Sequence, residues 1–286
     1  MSSSPTIYTT TDTLANRTGS WRFVRPFFDP ATAPCAAACP AGNPIAEMMS
    51  LAAAGDPAGA LRAVKQENPL PSVCGRVCPH PCTSCCNRSA FDSSVAINHV
   101  ERSIGDAADS HGLCLPQPAP ASGRRVAVIG SGPAGLSFAY HCALLGHSVS
   151  IFDASDKPGG LLAQGIPPYR LPRRALDRDL AFIDELGIEL SLSKSIPLYN
   201  IDEFASGFDA VCIATGAHTG SRLAVPGEEL GCVMPGLQFL KSVNAENASS
   251  PGNNVIVIGG GNTAMDSART ALRLGAANVT VAYRRT

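Results

Sequence analysis

The chain has 286 residues, of which 45% are hydrophobic and 16% charged, and 22 Lys plus Arg against 23 Asp plus Glu leave a formal net charge of -1. That length allows two domains or three small ones with a sizeable core, and the charge balance excludes a nucleic-acid footprint, an acidic tail and general disorder. The longest apolar runs, such as Val126–Ile129 and Val255–Ile258, are strand-sized, and the amino terminus lacks the basic start and apolar stretch of a secretory signal, so a cytoplasmic location is expected.

Residues 1–30 are rich in Ser and Thr and then carry the basic, aromatic stretch Trp21 to Phe28, read as an arm that packs on a domain or a partner. Residues 31–104 read as a small helical domain. Pro44 to Ala54 has helical character, and Asp56-Pro57 supplies an N-cap and a first-turn proline for a second helix to Gln66. Seven of the eleven cysteines fall here, between Cys35 and Cys86, in Cys35-Ala-Ala-Ala-Cys39-Pro and Cys74-Gly-Arg-Val-Cys78-Pro-His-Pro-Cys82-Thr-Ser-Cys85-Cys86. Pro79 and Pro81 forbid a regular helix across 78–82, so these thiols project from looped backbone, as cluster ligands do. An iron–sulfur cluster is the favoured reading. Zinc, which prefers tight C-x-x-C pairs, and disulfides remain as alternatives. His80, between the two prolines, reads as a loop histidine rather than a ligand, and Cys114, Cys142, Cys212 and Cys232 as small apolar filler.

A Gly-, Ala-, Ser- and Pro-rich linker, 105–123, leads into a strand, glycine turn, helix, strand alternation that predicts a parallel α/β sheet. In 124–251, Arg124-Arg-Val-Ala-Val-Ile-Gly130-Ser-Gly132-Pro-Ala134-Gly135 is a buried strand feeding a G-x-G-x-x-G turn and a helix. The next strand ends at Asp153, 23 residues after Gly130, where an acidic side chain can accept ribose hydroxyls. In 252–286 the pattern returns as Asn254-Val-Ile-Val-Ile-Gly259-Gly-Gly261-Asn262-Thr263-Ala264, again followed by helix and strand. At the acidic position this copy has Arg284 and Arg285, which suit a 2′-phosphate and predict NADP(H) over NAD(H). Two sites of different ribose chemistry imply FAD in the first and a nicotinamide cofactor in the second.

Taken together these residues resemble the small (beta) subunit of NADPH-dependent glutamate synthase and its relatives, the amino-terminal half of dihydropyrimidine dehydrogenase and the large subunit of NADH-dependent ferredoxin:NADP oxidoreductase. The likeness runs from about Cys35 to Thr286. It is carried, in order, by Cys39-Pro-Ala-Gly-Asn-Pro-Ile, Cys78-Pro-His-Pro-Cys82, Val95-Ala-Ile-Asn-His-Val-Glu101, the first glycine turn, Pro158-Gly-Gly-Leu161, Gly165-Ile-Pro-Pro-Tyr-Arg-Leu-Pro172, Ala214-Thr-Gly216 and Gly259-Gly-Gly-Asn-Thr-Ala-Met-Asp266.

The resemblance implies a helical [4Fe-4S] domain, then a Rossmann-like FAD domain into which an NADP domain is inserted. It implies Cys39, Cys78, Cys82 and, as an oxygen ligand, Glu101 for a flavin-proximal cluster, although Glu101 taken alone also reads as an ordinary solvated helix glutamate. Cys35 and Cys86 match ligands of a second cluster. Two further cysteines that relatives carry just before Cys35 are missing, so Cys74 and Cys85 substitute for them or that cluster is absent. For FAD it implies Gly130, Gly132, Ala134, Gly135, Asp153, Gly160, Leu161, Arg170, Thr215 and Gly216. For NADP(H) it implies Gly259, Gly261, Asn262, Thr263, Arg284 and Arg285.

The expected function is electron delivery from NADPH through FAD and [4Fe-4S] to a partner such as a glutamate synthase large subunit or a ferredoxin-like protein, with no catalytic side chain. A low-potential reductase using another acceptor and a non-catalytic redox or assembly subunit are the competing readings. The nucleotide unit that begins at residue 252 has only about 35 residues, one strand-helix-strand element, and the flavin domain's later return is not present. The expectation is therefore the amino-terminal part of a longer protein, which binds FAD and NADPH poorly by itself.

Overall fold

The computed structural model describes residues 32–220, 222–246 and 250–284, so the amino-terminal arm and Arg285 lie outside the described residues. Residues 34–286 form one compact unit. No helix among the described residues is long and apolar enough to cross a membrane.

Helices α1 (Ile45–Ala53) and α2 (Pro57–Lys65) fall where the sequence puts them, and Asp56 caps α2 by accepting the Gly59 N–H at 2.8 Å. Then come α3 (Pro71–Val77), the single turn α4 (Pro81–Ser84) and α5 (Ile97–Asp106). Their small core is Ile45, Met48, Ala60, Val64, Cys82, Ile97 and Ile104. The buried positions of α5 are Ile97, Glu101, Ile104 and Gly105, one helical stripe with a carboxylate in it. Helices α3 and α5 cross at backbone contact. A Cβ on Gly75 would stand 2.5 Å from the Arg102 nitrogen, and one on Gly105 2.7 Å from the Ser72 nitrogen. Gly105, which composition assigns to the start of the linker, is therefore a helix-packing position.

From residue 112 the chain runs without regular structure to β1 (Arg125–Ile129), anchored by Ala119 and Ser122 N–H donation to the Leu144 and Gly146 carbonyls at 2.8 Å each. The sheet adds β2 (Ser148–Phe152), β3 (Glu189–Ser191) and β4 (Ala210–Ile213). Its order is β3-β2-β1-β4, all parallel, with Ile129 opposite Phe152 and Ile213. Helix α6 (Pro133–Leu144) crosses between β1 and β2, and α7 (Arg173–Leu180) lies between β2 and β3 in sequence. Cys142 and Cys212 pack against this core as apolar filler, whereas Cys232 is exposed. After α8 (Gly236–Asn244), β5 (Asn254–Ile258) and β6 (Asn278–Ala282) form a second, two-stranded parallel sheet, with α9 (Asn262–Arg273) as its crossover.

The helical segment is built into the larger lobe. Leu70 and Val73 of the α3 region belong to the same core as Val128, Leu136, Tyr140 and Phe182. Polar contacts reinforce the join. Asp179 of α7 accepts the Val73 N–H at 2.8 Å, Tyr140 donates its hydroxyl to the Lys65 carbonyl at 2.5 Å, and Arg178 bridges Asp106 and Asp109 at 2.6–2.7 Å.

Candidate functional site

The first glycine loop sits at the carboxyl ends of β1, β2 and β4, where ligands bind in open α/β sheets. Gly130 has φ 108°, a left-handed conformation, and a Cβ there would run into the Ala214 carbonyl oxygen. A Cβ on Gly135 would collide with the Gly130 carbonyl, which is how α6 comes to pack so close to the strand. Gly132, by contrast, faces nothing within 4 Å, and α6 starts there with no side-chain cap, leaving its first-turn N–H groups for a pyrophosphate. Gly160 comes within contact of Gly132, and Thr215 and Gly216 are exposed just beyond β4. Leu161 opens a one-turn helix after Gly160, and Ala134 lies exposed on the first turn of α6.

Asp153 has a more local role than a ribose acceptor alone. Its Oδ2 accepts both the N–H and the hydroxyl of Ser131 at 2.6 Å, and its Oδ1 accepts the Ser155 N–H at 2.8 Å. Burial by itself would raise its pKa, and these hydrogen bonds more than offset that and hold the carboxyl below its ordinary range. The residue therefore shapes the glycine loop. Arg170 is also engaged by protein: Nη1 lies 2.6 Å from Asp266 of α9.

The second loop repeats the geometry. Gly259 has φ 123°, Gly261 faces nothing within 4 Å, and α9 begins there without a side-chain cap, with Asn262 and Thr263 exposed on its first turn. The Tyr283 ring lies against Gly260, and exposed Arg284 follows it at the end of β6. At Gly132 and Gly261 nothing obstructs close approach to the backbone, as a pyrophosphate at either loop requires.

In the helical segment, Cys39 follows the single turn Pro34–Ala37, Cys78 ends α3, and Cys82 is buried on α4. His80, left-handed at φ 55°, turns the chain between them and donates its N–H to Cys78 Sγ at 3.3 Å, while its ring nitrogen lies 3.3 Å from the Cys74 carbonyl. Glu101 is 7% exposed, which excludes a solvated helix glutamate. Its Oε1 accepts the side-chain amides of Asn43 at 2.9 Å and Asn68 at 3.1 Å. Burial pushes its pKa up to about 7 against those two donors. The Cys74 thiol, pushed up to about 12 by burial and by Glu101, points to Asn68 on this same side. Cys35 and Cys39 pack on the rim of this core, and Cys86 accepts the Val95 N–H at 3.4 Å, a contact that lowers its pKa.

Among the described residues no three such side chains already converge around one metal position. In kind the donors fit a cluster: soft thiols and a buried carboxylate on four short elements, an N–H···S hydrogen bond, and a buried Asn43 Oδ1 without a partner beside Glu101. Asn43, Asn68 and Asp266 were not singled out by sequence reasoning as site residues. Asn43 and Asp266 stand inside motifs noted there, whereas nothing local marks Asn68.

Comparison with known proteins assigns the lineage. Residues 124–286, more than half of the chain, match the family model for pyridine nucleotide-disulphide oxidoreductases. The chain belongs to that family. Residues 28–113 match the model for dihydropyrimidine dehydrogenase domain II, 4Fe-4S cluster. Together the two matched domains imply FAD, a pyridine nucleotide and a 4Fe-4S cluster, the cofactors that the sequence predicts. The chain is 40% identical over 269 residues to the NADPH-Fe(3+) oxidoreductase subunit beta of Geobacter sulfurreducens, covering 92% of this chain and 40% of that protein. It is 39% identical to the NADP(+)-dependent formate dehydrogenase subunit beta of Moorella thermoacetica, with 89% and 40% covered. To the glutamate synthase [NADPH] small chain of Bacillus subtilis it is 36% identical, with 84% and 51% covered. The chain thus spans about two-fifths to one-half of the length of these relatives.

Proposed function

We propose that this chain is the electron-input part of a multi-subunit oxidoreductase, in which NADPH binds at the β5–α9 loop, FAD at the β1–α6 loop and a [4Fe-4S] cluster on Cys39, Cys78, Cys82 and Glu101. When bound, the flavin converts a two-electron hydride donor into one-electron steps. The protein's own task is placement. Gly132 and Gly261 let backbone N–H groups meet the two pyrophosphates, Asp153 fixes the first loop through Ser131, and Arg284 with Arg285 takes the 2′-phosphate. Cys74, whose buried thiol faces Asn68 beside Glu101, lines this first site without being one of its four ligands, and Cys35, Cys85 and Cys86 remain for any second cluster. The working units in this reading are 31–104, 124–251 and the segment from 252.

The observation that carries the reading is the double membership of α3. Leu70 and Val73, at the start of α3, lie in the core of the sheet lobe, while Cys78 at its end is a proposed cluster ligand, so a single helix links the two proposed redox sites. The partner is proposed as a subunit that receives electrons singly. The Geobacter relative is named for reduction of Fe(3+) by NADPH and the Moorella relative for oxidation of formate by NADP(+), neither for glutamate synthesis, and this supports a dedicated redox partner, with a glutamate synthase large subunit as the second reading. Anaerobic reconstitution with FAD, iron and sulfide tests the proposal. Flavin absorbance should bleach on adding NADPH and only slowly with NADH; a protein that takes up neither flavin nor iron defeats it.

A further inference from the structure

Asp266 is the residue whose position the proposed sites leave unexplained. It lies on α9, four residues past Asn262, and its side chain is only 6% exposed. A carboxylate so deeply buried is tolerated only when paired. Its partner comes from the other nucleotide unit: Arg170 Nη1 stands 2.6 Å from Oδ2, and the Tyr169 hydroxyl lies 3.3 Å from the Asp266 carbonyl and 3.5 Å from Oδ1. The Tyr169 ring is in turn covered by Arg269 and Arg273 of α9, at 4.7 and 3.9 Å from its centre.

Tyr169 and Arg170 are tied to the first glycine loop. The segment they close begins at Gly160, which touches Gly132, and its carbonyls are gripped. Arg173 donates to Leu162 and Ile166 at 3.0 and 3.1 Å, and Asn244 of α8 donates to Gln164 at 2.7 Å. An unbroken run of contacts therefore leads from the loop at Gly132 to the helix that carries the loop at Gly261.

We propose that Asp266 is a positioning residue for hydride transfer, holding the nicotinamide unit in register with the flavin unit through Arg170 and Tyr169. The inference rests on the FAD and NADPH assignment above. A hydride, two electrons and one proton leaving NADPH together to give NADP+, moves only when donor carbon and flavin acceptor are within about 3–3.5 Å, and a misplacement of about 1 Å can cost roughly a hundredfold in rate. No other ion pair among the described residues links the 124–251 unit to α9.

The test is single-turnover bleaching of the FAD-loaded full chain by saturating NADPH. Asp266→Asn should keep its flavin, leave the half-saturating NADPH concentration within about twofold and slow bleaching at least about tenfold; Asp266→Glu should recover most of the rate. Tyr169→Leu, which spares the ion pair, should slow bleaching by a smaller factor and serves if the Asn variant does not fold. Wild-type rates in both Asp266→Asn and Tyr169→Leu, or a rate loss matched by loss of flavin, overturn the inference. A wild-type chain that binds no FAD overturns the functional reading beneath it instead.

Discussion

Ser131 and Asp153 show how one side chain can serve a loop before it serves a ligand. The second strand ends in an acidic residue at the distance where a ribose acceptor belongs, yet three hydrogen bonds from Ser131 and Ser155 already occupy most of that carboxylate. Ser131 is completely buried, so its N–H and hydroxyl have no water to fall back on. Asp153→Ala should therefore destabilise the fold by about 2 kcal/mol, the range for hydrogen bonds to a charged acceptor, and weaken FAD retention in the same variant. Asp153→Asn, which keeps an acceptor oxygen, should recover part of the stability. Urea denaturation and bound-flavin absorbance read the two effects separately; an Asp153→Ala variant as stable as wild type would show that the loop holds itself.

Among the elements, the α3–α5 pair decides whether the cluster residues can meet. Gly75 and Gly105 remove the two side chains that would hold these helices apart, and the close crossing sets Glu101 beside the end of α3. Gly75→Ala and Gly105→Ala each place a methyl group 2.5–2.7 Å from backbone nitrogen on the facing helix, contact that no rotamer change can relieve. Each should cost about 3 kcal/mol and lower the iron retained per chain after reconstitution, whereas Gly112→Ala, at a site with open space around it but φ 73°, should cost far less and leave iron unchanged. Iron analysis beside a denaturation curve separates these outcomes. This crossing also marks the limit of what was legible. The two glycine fingerprints, the α2 cap and the proline break at 79–81 act through neighbours in sequence, and each is visible there. The burial of Glu101 was half legible, in the Ile97, Glu101, Ile104 spacing. The amides that grip it come from Asn43 and Asn68, 58 and 33 residues away, and Asp266 finds Arg170 at 96, distances over which no local pattern reports.

At the scale of the whole molecule, the helical segment and the sheet lobe are joined by charges that would be costly apart. Arg178 and Arg76 converge on Asp106, Arg178 and Arg174 on Asp109, and behind them Asp179 is almost fully buried, with Lys65 close by. Burial pushes the Asp179 carboxyl from its ordinary value near 3.8 up to about 6, against the opposing pull of Lys65 and the Val73 N–H. Between about pH 4 and 6 the folded chain keeps a proton on Asp179 that the unfolded chain has released, so this group's contribution to stability falls as pH rises through that window and is constant above and below it. Across the whole window the loss comes to about 3 kcal/mol. Asp179→Asn keeps an acceptor oxygen for the Val73 N–H and cannot ionise, so its stability should exceed that of wild type at pH 7 and converge on it near pH 4. Paired melting curves at pH 4, 5, 6 and 7 check this. A constant offset between the two proteins across the series would show that Asp179 stays ionised in the folded chain down to pH 4, with Lys65 nearby as its counter-charge.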